Sequence, residues 1–338
     1  MEQVLINNHH TSIAEEVINH TEEVINLPSL KPSSDKCFIE ANTIQSNLEE
    51  IKNDHIIPVF IKDNNTLISH SDFVETTMEM VQKYYPEETI LKPNIRLSHP
   101  IKGRIPSAKN KPANVLQEHE KTLYYERMAF IVEIPSVYDE IDGNRLSLMV
   151  GGVKSFNLDN LYTKKGNDEH FKIFIGFKNT VCTNLCVWTD GFKSDVKVNS
   201  TGQLKGVIES MIEQYNISYH LHHLRSLKDY SLTEQQFATL IGKLRMYPYL
   251  PKSMQEITQP LCLGDTQIST VVKDYFKDNS FCKNDYGNIS LWRLYNLLTG
   301  ANKSSYIDQF IDRSVNAFHF TERLKYVLMN QTESWFLN

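Results

Sequence analysis

The sequence predicts an α+β fold: an antiparallel sheet domain with a packed helix, followed by a helical C-terminal region and preceded by a disordered N-terminal tail. Three observations carry this. Between Ile95 and Val198, apolar and polar residues alternate in segments bounded by Pro, Gly, Asn or Asp. After Ser200 the apolar spacing lengthens to that of helices. Residues 1–36 hold too few large apolar groups to offset the entropy of ordering them. The domains expected are a flexible acidic tail over 1–36, a sheet domain over 37–200 and a helical region over 201–338 packed on the sheet domain.

Taken in order, Phe38 to Asn53 predicts a short helix and Ile56 to Ile61 a strand closed by a turn at Lys62 to Asn65. Ser71 is placed to cap a helix from Asp72 to Tyr85, with Phe73, Met78 and Val81 inward and Pro86 ending it. Strands are expected at Ile95–Ile105, Leu123–Ile134, Arg145–Phe156, Phe171–Asn179 and Phe192–Val198, while Leu185 to Trp188 fits a strand or one helical turn. Thr201 to Leu227 reads as one long amphipathic helix. Thr233 and Gln236 form a capping box for a helix to Met246. Further helices are expected from Asp265 or Thr266 to Phe276, from Ile289 or Ser290 to Leu298, and from Ser304 or Ser305 to Leu328.

The densest stretch is His170 to Gly191. Phe171, Ile173, Ile175 and Phe177 share one face of a strand, and Phe174 lies on the other, so both faces are expected to be covered. Gly176 inside this run marks a crowded spot or a bulge. Asn179, Thr180, Cys182, Thr183 and Asn184 then bring polar groups into an apolar setting, where they are expected to satisfy buried backbone as a structural polar cluster.

The chain of 338 residues is 41% hydrophobic and 22% charged, a globular composition. No apolar run reaches the ~20 residues of a membrane helix, and no signal-like N-terminus is present, so a cytoplasmic protein without a membrane partner is expected. Five dispersed cysteines fit free thiols. Residues 1–57 carry 10 acidic and 3 basic residues, which accounts for more than the whole net charge of -6 and leaves a neutral body.

Catalytic patterns are weak. Cys182 and Cys186 lack a second ligand pair for zinc, and strand geometry would set both on one buried face. His220 and His223 share a helix face, better read as a surface beside aromatics than as a metal site. Asn302-Lys303-Ser304-Ser305 fails the phosphate-loop frame, and Gly151-Gly152 lacks the third glycine of a dinucleotide fingerprint. Asp308 and Asp312, one turn apart, could hold a metal, although charge-balanced neighbours favour a solvated first turn. No cofactor and no metal is assigned. One charge excess survives: Lys92 to Arg127 holds eight basic and three acidic residues. Lys92, Arg96, Lys102, Arg104, Lys109, Lys111 and Arg127 with Tyr124 and Tyr125 have the make-up of a single-stranded nucleic-acid site, cations for phosphates and rings for bases.

The runs F-I-G-F-K-N-T-V-C-T-N-L-C-V-W-T-D-G, E-Q-Q-F-A-T-L-I-G-K-L-R-M-Y-P-Y-L-P and L-W-R-L-Y-N-L-L-T-G-A-N-K-S-S-Y-I-D-Q-F resemble an uncharacterised domain-of-unknown-function family of Bacteroides-type bacteria. The resemblance covers about Phe38 to Leu337, and a fainter one reaches phage- and plasmid-associated proteins. It implies company on mobile genetic elements and assigns no activity. The leading expectation is therefore a non-enzymatic, mobile-element protein binding or annealing single-stranded DNA. The alternatives are a protein-interaction or counter-defence factor using the acidic tail, and a metal-assisted enzyme using Asp308 and Asp312.

Overall fold

The computed structural model describes residues 37–55, 57–58, 67–156 and 168–338. The expected tail, the turn at Lys62 to Asn65 and most of the predicted Ile56–Ile61 strand lie outside these residues. Residues 37–338 form one compact unit, in which sheet and C-terminal helices share a core.

The chain enters through β1 (Ile44–Ser46) and α1 (Leu48–Asp54) rather than the single helix expected, because Asn47 caps the helix by accepting from Glu50 N–H. A two-residue strand β2 (Ile57–Pro58) follows. Helix α2 (His70–Tyr84) starts two residues earlier than the Asp72 start expected from a Ser71 cap. Ser69 and Asp72 form a reciprocal capping box, with Asp72 taking both the Ser69 N–H and its hydroxyl.

The sheet strands are β3 (Asn94–Arg104), β4 (Lys121–Ile141), β5 (Asn144–Ser155), β6 (Glu169–Asn179) and β7 (Leu185–Val198). All pair antiparallel in the order β1-β3-β4-β5-β6-β7, with β2 beside β1 on β3. Leu185 to Trp188 is strand.

The helices are α3 (Thr201–Gln214), α4 (Ile217–Ser226), α5 (Glu234–Met246), α6 (Lys252–Ile257), α7 (Asp265–Lys277), α8 (Leu291–Asn302) and α9 (Ile307–Asn330), with a small ladder of β8 (Ser231–Leu232) and β9 (Ile289–Ser290). The long helix expected over 201–227 is two. Tyr215 turns extended and Asn216 recaps the chain by accepting from Tyr219 N–H, so the apolar period runs on across a corner. The last helix begins at Ile307 without a side-chain cap, because Ser304 and Ser305 turn their hydroxyls back onto Ala301 O and Asn302 Oδ1.

Strand alternation divides the core. Met128, Phe130, Val132, Leu148, Val150, Phe171, Ile173, Ile175 and Phe177 face α2 and α3 and run on into the C-terminal helices. Ala129, Ile131, Met149, Val153, Phe174, Leu185 and Val187 face the other way, under Phe38, Ile39 and the first turns of α9 through Ile307, Phe310 and Ile311. Phe174 and Phe177 are thus fully buried on opposite faces. The Gly151-Gly152 pair has its explanation here. A Cβ on Gly151 would stand 2.5 Å from the Phe174 ring, and one on Gly152 would stand 2.2 Å from Phe73. Each glycine admits an aromatic ring to one face of the sheet.

Candidate functional site

The polar cluster sits in the β6–β7 turn. Asn179 N–H donates to Asn184 O and Thr183 N–H to Asn179 O, which closes a tight turn with Thr183 at φ 59. A β-branched residue there is strained unless held. Its hydroxyl lies 2.9 Å from Cys37 O and accepts from Lys303 Nζ at 2.9 Å, while Lys303 also donates to Cys182 O. Asn179 Nδ2 donates to Asn296 Oδ1, Asn184 Nδ2 to Asn296 O, and Thr180 Oγ1 to Arg145 O. These side chains bind backbone and one another, joining the turn to α8. Cys182 lies in this turn and not on a strand face with Cys186. Burial pushes the Cys186 thiol well above its usual range.

The nine residues nominated between Lys92 and Arg127 do not converge. Tyr124 is fully buried, stacked on His70 at 4.7 Å, and Tyr125 is buried edge-on to His55, so neither offers a face to a base. Arg96 is buried and donates to Thr43 O at 2.8 Å, and Arg104 is buried and donates to Lys111 O. Lys111 pairs with Glu120 and Arg127 with Asp308. Lys92, Lys102 and Lys109 are exposed and carry no ion pair among the described residues. The sequence counted charge that the fold has already spent on backbone carbonyls and carboxylates.

The same holds for Asp308 and Asp312. Arg127 of β4 donates to Asp308 Oδ1 at 3.0 Å, and Lys172 of β6 donates to both Asp312 and Asp308 O. Among the described residues no group of acidic, His or Cys side chains is arranged to hold a metal ion. The pair is a latch between α9 and the sheet. His220 is not at the surface: it is fully buried between Phe177, Trp188, Tyr215 and Phe318, and burial pulls its pKa down to about 3. His70 is likewise buried and neutral, with a pKa of about 3.

What the structure does assemble lies on the C-terminal helices. In the β6–β7 ladder, Phe174 pairs with Phe192 and Gly176 with Val187, so Trp188 to Gly191 bulge out opposite Ile175 alone. The bulge carries Trp188 against Tyr219 at 5.0 Å and His223 at 4.9 Å, and sets Thr189 Oγ1 2.6 Å from His319 Nε2. From this aromatic shelf a cleft of about 720 Å³ opens along α9. Asn316, His319, Arg323 and Tyr326 form its α9 wall, spaced to share one helix face. Residues 255–262 form the other, held by Asn316, whose Oδ1 accepts from Cys262 N–H at 2.7 Å and whose Nδ2 donates to Pro260 O at 3.0 Å.

Charges in the cleft are arranged unevenly. Glu322 is taken by His223 at 3.0 Å and Lys325 at 2.7 Å. Arg323 is half-buried and donates to the carbonyl and side-chain oxygen of Gln259, both neutral, and has no carboxylate partner among the described residues. Burial lowers its pKa. His319 is held below its usual range by burial and by the nearby guanidinium, so it is neutral at pH 7. Burial raises the Cys262 thiol despite the pull of Arg313 and Arg323, which leaves it protonated and a poor nucleophile. Nothing in the sequence singled out this cleft. Its trace in the sequence is the spacing of Asn316, His319 and Arg323, which sets three polar side chains on one face of an amphipathic helix.

Fold and site together define an α+β protein whose antiparallel sheet is covered on both faces and whose C-terminal helices carry an open, preformed cleft. Among the described residues, no helix is long and apolar enough to cross a membrane. The chain belongs to the family described as "Domain of unknown function, B. Theta Gene description (DUF3871)", whose model matches residues 19–337. No curated protein and no solved structure matches it. The fainter likeness to phage- and plasmid-associated proteins has no counterpart in these matches.

Proposed function

We propose that this chain is a non-catalytic binding protein that docks a protein partner across the cleft between residues 255–262 and α9. The observation that carries the reading is the apolar side chains left in water at its walls: Tyr326, which lines the cleft, is 59% exposed, and Ile257, next in the chain to the lining residue Glu256, is 80% exposed, with Met254 beside the lining residue Gln255. Large apolar groups clustered at a preformed concavity favour a partner that covers them. A protonated Cys262, a Glu322 taken by His223 and Lys325, and a neutral His319 support binding over catalysis. This contact differs from the acidic-tail contact expected from sequence, which falls on residues outside the described ones. A mobile-element setting is part of the proposal and rests on the resemblance alone.

Panning a displayed peptide library on the whole chain tests it. Enriched peptides are expected to lose about tenfold or more in affinity on an Ile257→Asp/Tyr326→Asp variant, whose exposed positions leave stability within about 0.5 kcal/mol. Peptides that hold equally to both proteins would overturn the docking site. Single-stranded nucleic acid stands as a second reading on one observation, that Lys92, Lys102 and Lys109 are exposed and carry no ion pair among the described residues. A labelled single strand that binds at ~50 mM salt and is released by replacing these three with Gln would move the function there.

A further inference from the structure

An arginine that is half-buried, fixed in place and answered, among the described residues, by two neutral oxygens and the face of the Phe320 ring, with no carboxylate, needs an explanation. Removing a guanidinium from water costs free energy that a carboxylate or phosphate normally offsets. Gln259 contacts Arg323 through two oxygens, Oε1 and its backbone O, which orients the planar fork without neutralising it. The neighbouring carboxylate, Glu322, is turned to His223 and Lys325. Glu256, the other acid lining the cleft, sits exposed on the opposite wall. Beside the guanidinium, His319 is kept neutral, so it adds no like charge, and Thr189 occupies its Nε2 and leaves Nδ1 for the cleft. Asn316 is fully used in pinning the opposite wall, so the geometry exists before any ligand arrives.

We infer that the cleft reads a carboxylate: the free donors of Arg323, with His319 beside it, receive an acidic side chain of the docked peptide, while Ile257 and Tyr326 cover apolar residues flanking that acid. The inference rests on the docking reading and names its chemistry. A guanidinium fork matches a carboxylate in two parallel charge-assisted hydrogen bonds. An amide isostere offers one acceptor and no charge, so discrimination between Glu and Gln is the signature.

The probe is a fluorescein-labelled, C-terminally amidated peptide with one central glutamate among leucine and tyrosine, measured by anisotropy on the whole chain. Its glutamine counterpart should bind about tenfold more weakly or worse, and Arg323→Gln should erase that difference. Arg323→Lys, which keeps charge without the fork, should restore part of it. A glutamine peptide with a free C-terminus asks whether a terminal carboxylate is preferred, and inorganic phosphate is the competitor. Equal binding of Glu and Gln peptides that both weaken on Ile257→Asp would overturn carboxylate recognition and leave docking standing. Binding insensitive to both Ile257→Asp and Arg323→Gln would overturn docking as well. A stronger terminal carboxylate, or phosphate binding through Arg323 with no peptide bound, would overturn the acidic-side-chain assignment.

Discussion

Gly152→Ala tests how the larger core is closed. The new Cβ would lie 2.2 Å from Phe73 Cζ and 3.0 Å from Phe130 Cε1. Carbon contacts settle at about 3.5 Å or more, so the Phe73 ring must retreat by roughly 1.3 Å. It has nowhere to go: it is fully buried, edge-on to Phe130 at 5.0 Å and to Phe171 at 4.8 Å. Overpacking of this kind costs about 1–3 kcal/mol, and the upper end fits a ring clamped on two sides. The stiffer unfolded chain of alanine offsets about 0.4–1 kcal/mol, which leaves a net loss of roughly 2 kcal/mol. Phe73→Leu, destabilising alone, should make room for the methyl, so the double variant is expected to be better than additive by about 1–2 kcal/mol. The same Leu should not rescue Gly151→Ala, whose Cβ meets Phe130 O at 2.4 Å on the other face. Equilibrium urea unfolding with an unchanged m-value is the assay. A Gly152→Ala loss under about 0.5 kcal/mol, or strict additivity with Phe73→Leu, would refute the reasoning.

Phe174→Ala and Phe177→Ala should each cost about 3–5 kcal/mol and combine nearly additively, since they empty different cores; a near-zero cost for either would mean one sheet face is uncovered. Lys172→Met should cost about 1–3 kcal/mol by freeing Asp312 and Asp308 O, and millimolar Mg²⁺ should leave the wild-type Tm unchanged, whereas a Tm rise would revive the metal reading. His70 and His220 hold folded pKa values of about 3 against 6.5 unfolded, so below pH 6.5 the unfolded chain binds more protons. Stability is full above pH 6.5 and is lost progressively towards pH 3, by roughly 2 kcal/mol per histidine at pH 5. His220→Gln should remove roughly 2 kcal/mol of the fall between pH 7.5 and 5, to which His319, also lowered, adds its own share; a flat profile in the wild type would show that the histidines are solvated.

Strands were legible because alternation is local. Phe171 to Phe177 fixes two faces without knowledge of any partner strand. The break at Tyr215 and Asn216 was hidden because the apolar spacing is the same on both sides of the corner. Both Tyr124 and Tyr125 disappear into the protein because His70 and Phe156 pack on the first ring and His55 on the second, which no property of the dipeptide announces. Arg96 and Arg104 point at carbonyls more than three-dimensional charge counting from sequence can foresee. The cleft was illegible for a different reason: its walls, residues 255–262 and 316–326, are far apart in the chain, and the thread that joins them is the amide of Asn316.

The two layers of the sheet are completed on different schedules during synthesis. Helices α2 and α3 bracket the strands in the chain, so the part of the larger face that lies under them can be covered once about Gln214 has emerged. The smaller face, lined by Ile131, Met149, Phe174 and Val187, waits for Ile307, Phe310 and Ile311, more than ninety residues later. At roughly 5–20 residues per second that interval lasts about 5–20 s, during which a greasy sheet surface stands open with Lys172 and Arg127 beside it and no aspartates to meet. Charges on an open sheet face disfavour its pairing with copies of itself, so a chain ended before Ile307 is expected to aggregate faster when Lys172 and Arg127 are replaced by Met.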